Sequence, residues 1–234
     1  RARPRAHARP SGALARSCPL IPVSAAERKR PRRTRERILE TSLALFNRHG
    51  VAEVTTADIA DEMNISPGNL YYHFRNKDDI IGELYAAYEQ SVTPLLAAPP
   101  AAEVEDLWFL LHLLFERMQE YRFLYRDLDE ITSRNRKLAV RVADFLHRLE
   151  STVLELSRSL VRTGRMRASE RELGALAANA TLVSTYWMSW QRVVGAGRDE
   201  MNLTVAAYHV LALFTPFMVG DGRALIERLG EEYL

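Results

Sequence analysis

Residues 66–77, SPGNLYYHFRNK, bring together side chains suited to gripping a polyanion and reading its edges. Asn69 offers a paired donor and acceptor that match an adenine edge in a major groove. Tyr71 and Tyr72 combine a ring that can meet a thymine methyl with a hydroxyl that can donate to phosphate. Gly68 lacks a side chain, so a backbone N–H beside it can approach a partner closely. Lys77 places a full charge near a helix start whose N–H groups are unpaired, a natural phosphate site. Both tasks of nucleic-acid recognition, holding the backbone and reading bases, thus have candidates within twelve residues. The competing reading for Tyr71, Tyr72 and His73 is ordinary packing between helices, and His73 could equally be a solvated side chain.

Positioning these groups requires short, sharply bounded helices. Leu70 and Phe74, four apart, fall on one face of a helix over 67–74 and leave Gly68, Asn69, Tyr71, Tyr72 and His73 around the rest. Ser66 caps that helix, with Pro67 at its first position, where a missing N–H costs nothing. Before it, Thr55 and Asp58 form a capping box that starts a helix carrying Ile59, Ala60 and Met63. A longer first helix buries Ile38, Leu39, Ser42, Leu45 and Phe46 and closes at Gly50 in the left-handed region. Asn76 caps a fourth helix with Asp78 and Asp79 at its positive end. Two short helices joined by a tight turn behind a longer one make a helix-turn-helix.

Residues 34–81 resemble the DNA-binding domain of TetR-family transcriptional repressors. TRERILETSLALFNRHGV, TTADIADEMNIS and PGNLYYHFRNKDDII carry the likeness, through Phe-x-x-x-Gly, T-x-x-x-I-A and L-Y-Y-H-F-x-x-K. The resemblance implies a homodimer that sets its third helix into successive major grooves of an inverted-repeat operator. Base contacts then fall around Gly68, Asn69 and Tyr71, and phosphate contacts on Thr56, Tyr72, His73 and Lys77. Thr55, Ser66 and Pro67 complete the surface, and Arg35, with Arg32 and Arg33, is placed to reach a neighbouring groove. Pro67 departs from the family, which often carries a basic or polar side chain there; Pro67 offers no donor.

The charge is uneven along the chain. Residues 1–35 hold ten arginines and Lys29 against one acid, Glu27, while the remainder carries 21 basic and 29 acidic residues. A basic arm on an acidic body points to a polyanion contact at one end, or to a solvated tail. Residues 1–33 are expected as a disordered arm or leader, 34–81 as the DNA-binding domain and 82–234 as a larger helical domain. A single cysteine, Cys18, leaves no internal disulfide and favours a reducing cytoplasm. No apolar run reaches the roughly 18 residues of a membrane span, so no membrane partner is expected.

Beyond residue 100 the periodicity is helical throughout, giving an all-α chain. Helices are expected over about 103–119, 121–131, 134–161, 170–194 and from Asn202 to near Pro216. The family architecture implies a small-molecule site among the central helices and dimerisation through the last two long ones. Trp108, His112, Phe115, Met118 and Tyr125, facing Tyr186, Trp187 and Trp190, are the candidate walls of a pocket for a mostly hydrophobic effector. Ala175, Ala178, Asn179, Leu182 and Val183, with Val210, Phe214 and Phe217, are the candidate dimer contacts. No cofactor or metal is called for: G-x-S-x-G, H-E-x-x-H and paired Glu-x-x-His are absent, which leaves a helical-bundle enzyme a remote alternative. The nearer alternative is a DNA-binding regulator with no small ligand, controlled by a protein partner.

Overall fold

The computed structural model describes residues 26–97, 103–195 and 202–233, and among them it holds α-helices and short 3₁₀ turns with no strand. Helices α1 (Ala26–His49), α2 (Thr56–Glu62) and α3 (Pro67–His73) form the first domain. Their ends follow the expected local chemistry. The Thr55 hydroxyl accepts from the Asp58 N–H at 3.2 Å while the Asp58 carboxylate accepts from the Thr55 N–H at 2.8 Å. The Ser66 hydroxyl accepts from the Asn69 N–H, and the Asn76 side chain from the Asp79 N–H. The α2–α3 turn closes through Asn64 at φ 53°, a conformation Asn tolerates better than most residues. Ile38, Phe46, Ile59 and Leu70 are fully buried between these helices, each contributing about 1.5–3 kcal/mol relative to exposure.

Helix α4 (Lys77–Val92) runs unbroken from this domain into the next, so the expected boundary at 81–82 falls inside a helix. Helices α5 (Val104–Glu120), α6 (Arg122–Arg126), α7 (Leu128–Arg134), α8 (Arg136–Arg162), α9 (Glu170–Val194), α10 (Leu203–Ala212) and α11 (Asp221–Tyr233) make up the larger domain. The long pair α8 and α9 pack along each other, and α10 lies across α5 and α9. Arg167 N–H to Phe217 O and Val219 N–H to Arg165 O join the α8–α9 and α10–α11 links.

Helix α1 continues back through residues 26–33 of the expected arm, of which residues 1–25 lie outside the described residues. Two expectations need correction. The helix expected over 121–131 is two, with Asp127 between them holding φ −106° and ψ 24°. The last long helix stops at Ala212, because Pro216 lacks an N–H and its ring would meet the carbonyl four residues back; α11 follows unforeseen. No helix among the described residues is long and apolar enough to cross a membrane.

Candidate functional site

The outer surface of α3 presents Pro67, Gly68, Asn69, Tyr71 and Tyr72 to solvent, while Leu70 and Phe74 are buried beneath it. Tyr72 is 78% exposed, an unusual amount for an aromatic ring, and its one ring contact among the described residues is edge-on with His73 at 5.0 Å. Tyr71 is half exposed and its hydroxyl lies 3.0 Å from the Thr56 hydroxyl, tying α3 to the start of α2. A Cβ at Gly68 would meet nothing nearer than the Ser66 hydroxyl at 4.0 Å, so no atom of the subunit requires glycine there. Thr55 and Ser66 are exposed at the two caps. The Thr55 hydroxyl and N–H hold the Asp58 carboxyl below the usual carboxylate range.

Two of the expected DNA-contact residues also have partners within the subunit. Lys77 directs its ammonium to the carbonyls of Val51 at 2.6 Å and Val54 at 3.0 Å, so it pins the α1–α2 turn to α4. Arg35 pairs with Glu83 at 2.9 Å and lies over the Phe74 ring at 4.7 Å, bracing α1 against α4. Both help to frame the α3 surface.

A polar joint connects the two domains. Arg126 Nη2 and Nη1 donate to the carbonyls of Phe46 at 2.6 Å and Asn47 at 3.1 Å, capping the C-terminal end of α1. Beside it the Asp127 carboxylate accepts from the Val51 N–H at 2.8 Å and pairs with Arg126 Nε at 3.1 Å. Asn47 in turn donates to the Glu120 carbonyl and accepts from the Phe123 N–H. Gly50, at φ +92°, lets α1 end this close to Arg126: a Cβ there would sit 3.3 Å from the guanidinium. No local pattern marks this joint, since Arg126 and Asp127 lie about 76–80 residues from their partners.

The larger domain encloses a narrow apolar cavity of about 20 Å³, lined by Tyr85, Tyr88, Leu124, Tyr125, Phe145 and Thr185 among others. Roughly 10–15 Å³ admits one water, so the walls nearly meet. Tyr88 is its hub. Its ring packs against those of Tyr85, Tyr121, Tyr125 and Phe145 at 5.6–6.1 Å, and its hydroxyl is hydrogen-bonded to that of Tyr125. Burial raises the pKa of the Tyr85, Tyr88 and Tyr125 hydroxyls above that of a free tyrosine, so all three remain protonated donors at neutral pH.

Of the expected pocket walls, only Tyr125 lines this cavity. Trp108 and His112 stack on each other along α5, with His112 half exposed and 3.6 Å from Glu116. Phe115 and Met118 are buried in the α5 core face, and Trp187 is buried against His209 at 4.6 Å. Tyr186 and Trp190 point outward, 43% and 53% exposed, so they cannot form an inner wall. Tyr85 and Tyr88 were missed, although their spacing with Ile81 and Leu84 on a helix crossing both domains marks an aromatic inner face.

Tyr186 and Trp190 instead join a ridge. Ala178, Leu182, Tyr186, Trp190 and Val194 recur every four residues on α9 and all are exposed, with Ala175 and Asn179 beside them and Val183 half-buried. Val210 and Phe214, expected at the same interface, are fully buried inside the subunit and out of reach of a second chain; Phe217 is half-buried.

Comparison with known proteins agrees with this architecture. A profile described as "Bacterial regulatory proteins, tetR family" matches residues 38–84, and one described as "Bacterial transcriptional repressor", of TetR, matches 87–226. A probable acrEF/envCD operon repressor of Escherichia coli K12 is 42% identical over 53 residues, 23% of this chain and 24% of the relative. The chain thus aligns with about a quarter of the length of that curated relative. A TetR-family transcriptional regulator of Marinobacter aquaeolei VT8 is 34% identical in sequence, with a TM-score of 0.76 over 86% of this chain and 98% of that one. The SmeT–triclosan complex shares the fold, with a TM-score of 0.52, 20% identity and coverage of 81% and 94%. The profile across the larger domain and the near-complete match to the Marinobacter structure place this chain in the TetR family of bacterial transcriptional regulators.

Proposed function

We propose that this chain is a cytoplasmic, homodimeric repressor that reads an inverted-repeat operator through α3 and leaves it when a small, mostly hydrophobic effector enters the larger domain. The exposed surface of α3 carries the reading. Asn69, Tyr71 and Tyr72 face solvent over a locked apolar underside, and Gly68 has open space that nothing inside the subunit uses. A recognition helix presented this way fits a major groove, and two copies related by a two-fold axis fit grooves roughly 34–36 Å apart. The α9 ridge supports the dimer, because an apolar row at i±4 spacing packs well against its own copy.

The effector would enter among Tyr85, Tyr88, Tyr125 and Phe145, where a polar group of the ligand would take over part of the hydrogen bonding that Tyr88 and Tyr125 now make to each other. That neighbours of this fold are solved with triclosan and with choline supports a small-molecule effector in the larger domain. The route to DNA is short. Tyr125 is followed in α6 and the next turn by Arg126 and Asp127, which hold the end of α1, and Tyr85 and Tyr88 sit on α4, which also starts the DNA-facing domain. Opening the cavity would shift both attachments of the first domain at once. A second reading, regulation by a protein partner without a small ligand, is favoured by the narrowness of the cavity.

The test is selection from a random duplex pool by the purified full chain, followed by sedimentation of the complex. An enriched inverted repeat bound by two chains is the expected result, and Leu182→Asp should convert it to weak binding by single chains. Enrichment of no sequence, or of a direct half-site bound by one chain, overturns the dimeric reader.

A further inference from the structure

Beside α3 lies an open cleft of about 470 Å³ between the two domains. His73 and Arg75 line it from the end of α3 and the turn after it; Asn135, Lys137 and Arg141 line it from the α7–α8 turn and the start of α8. Its charges divide into two groups. Arg35 is paired with Glu83, Arg141 with Glu89 at 2.7 Å, and the nearby Arg134 with Glu130 at 3.0 Å. Asp79 accepts the Arg75 backbone N–H, and Asp78 also faces the cleft. Arg75 and Lys137 line the cleft, and Arg136 adjoins Lys137 in sequence without being part of the lining; all three are exposed, and among the described residues no carboxylate lies within 4.0 Å of their side chains.

We propose that Arg75, Arg136 and Lys137 form a second phosphate-binding surface, so that the larger domain touches DNA directly alongside α3. This rests on the reading of α3 as the DNA-contacting helix. A duplex carries one phosphate charge per about 1.7 Å of its axis, and Lys137 shares one cleft with His73 and Arg75 at the end of α3, so a duplex seated on α3 would have phosphates available to both sides of that cleft. The acids Asp78, Asp79 and Glu83 disfavour a small anion bound inside the cleft. Unpaired cations on long flexible stems at an exposed edge suit an extended polyanion that stays outside it. The contact also has a mechanical consequence. Val142, Phe145 and Leu146 of the same helix line the cavity, so a phosphate held at the first turn of α8 is joined to the cavity wall by one rigid element.

The test uses the full chain and the duplex selected above, with affinity measured against salt concentration. Arg136→Ala with Lys137→Ala is compared with Arg162→Ala with Arg171→Ala. The second pair makes the same charge change with exposed residues, Arg162 at the far end of α8, about 38 Å along the helix at 1.5 Å per residue, and Arg171 at the start of α9. The first pair should lower the magnitude of the salt slope by about 2, near 0.9 per lost contact, and weaken operator and random duplex by the same factor. The second pair should leave the slope unchanged, and thermal midpoints should match wild type in both. A wild-type slope in the first pair, or an equal loss in the second, overturns the proposal. Absence of salt-dependent binding by the wild type would remove the reading of α3 and this surface with it.

Discussion

The α3 surface and the tyrosine cavity are built on opposite plans. On α3 the interacting groups stand in solvent, held by bonds between residues at most 15 apart, such as Tyr71 to Thr56 and Asn69 to Ser66. In the cavity the groups are fully packed, drawn from α4, α6, α7, α8 and α9, and they already satisfy one another through Tyr88–Tyr125 and Tyr85–Arg141. A surface assembled before its partner arrives suits a large, rigid partner such as a duplex. A site that fills its own volume can act only by being opened, and the work of opening is what a ligand can couple to distant change.

Four substitutions probe this contrast. Phe145→Ala should have the largest effect, a loss of about 3–5 kcal/mol in denaturant unfolding, because it removes a fully packed ring from the cavity wall. The same variant should gain uptake of small aromatic compounds measured by calorimetry. A stable variant with no gain would mean that the cavity is plain core. Arg126→Ala should follow at about 3 kcal/mol, since it strips two carbonyl caps from α1 and leaves the largely buried Asp127 carboxylate without its ion partner. Operator binding should survive in that variant while its response to effector disappears; an intact response would place the coupling elsewhere. Lys77→Ala should cost about 2 kcal/mol by freeing the Val51 and Val54 carbonyls. An unchanged melting temperature with a lower salt slope would return Lys77 to the phosphate-contacting set. Gly68→Ala should be the smallest and opposite in sign, a gain of up to about 1 kcal/mol in stability. Operator affinity should nevertheless fall in this variant, measured by fluorescence anisotropy; unchanged affinity would show that the duplex does not approach Gly68.

The same contrast explains what the sequence disclosed. Capping boxes, the Ser66–Pro67 helix start and the Leu70–Phe74 pair are decided within four residues, and each appears where the pattern placed it. The intrasubunit partners of Lys77 and Arg35 are invisible to local pattern, because they lie about 23–48 residues away in the chain. Tyr186 and Trp190 were assigned to an inner wall because helical spacing shows that residues share a face without showing which way it turns. Val210 and Phe214 failed by the same ambiguity in the other direction. Periodicity gives amphipathic stripes, and only packing against α5 and α8 decides whether a stripe meets the core or another chain.

The joint between the domains recognises almost nothing but main chain. Arg126 and Asp127 engage the carbonyls of residues 46 and 47 and the amide of 51, and Asn47 answers by engaging the carbonyl of 120 and the amide of 123. A socket of this kind accepts any helix that ends in Asn-x-x-Gly with the same backbone course. The first domain is therefore free to change the exposed residues of α3 without renegotiating this joint. Modularity here is a property of five backbone atoms and three side chains.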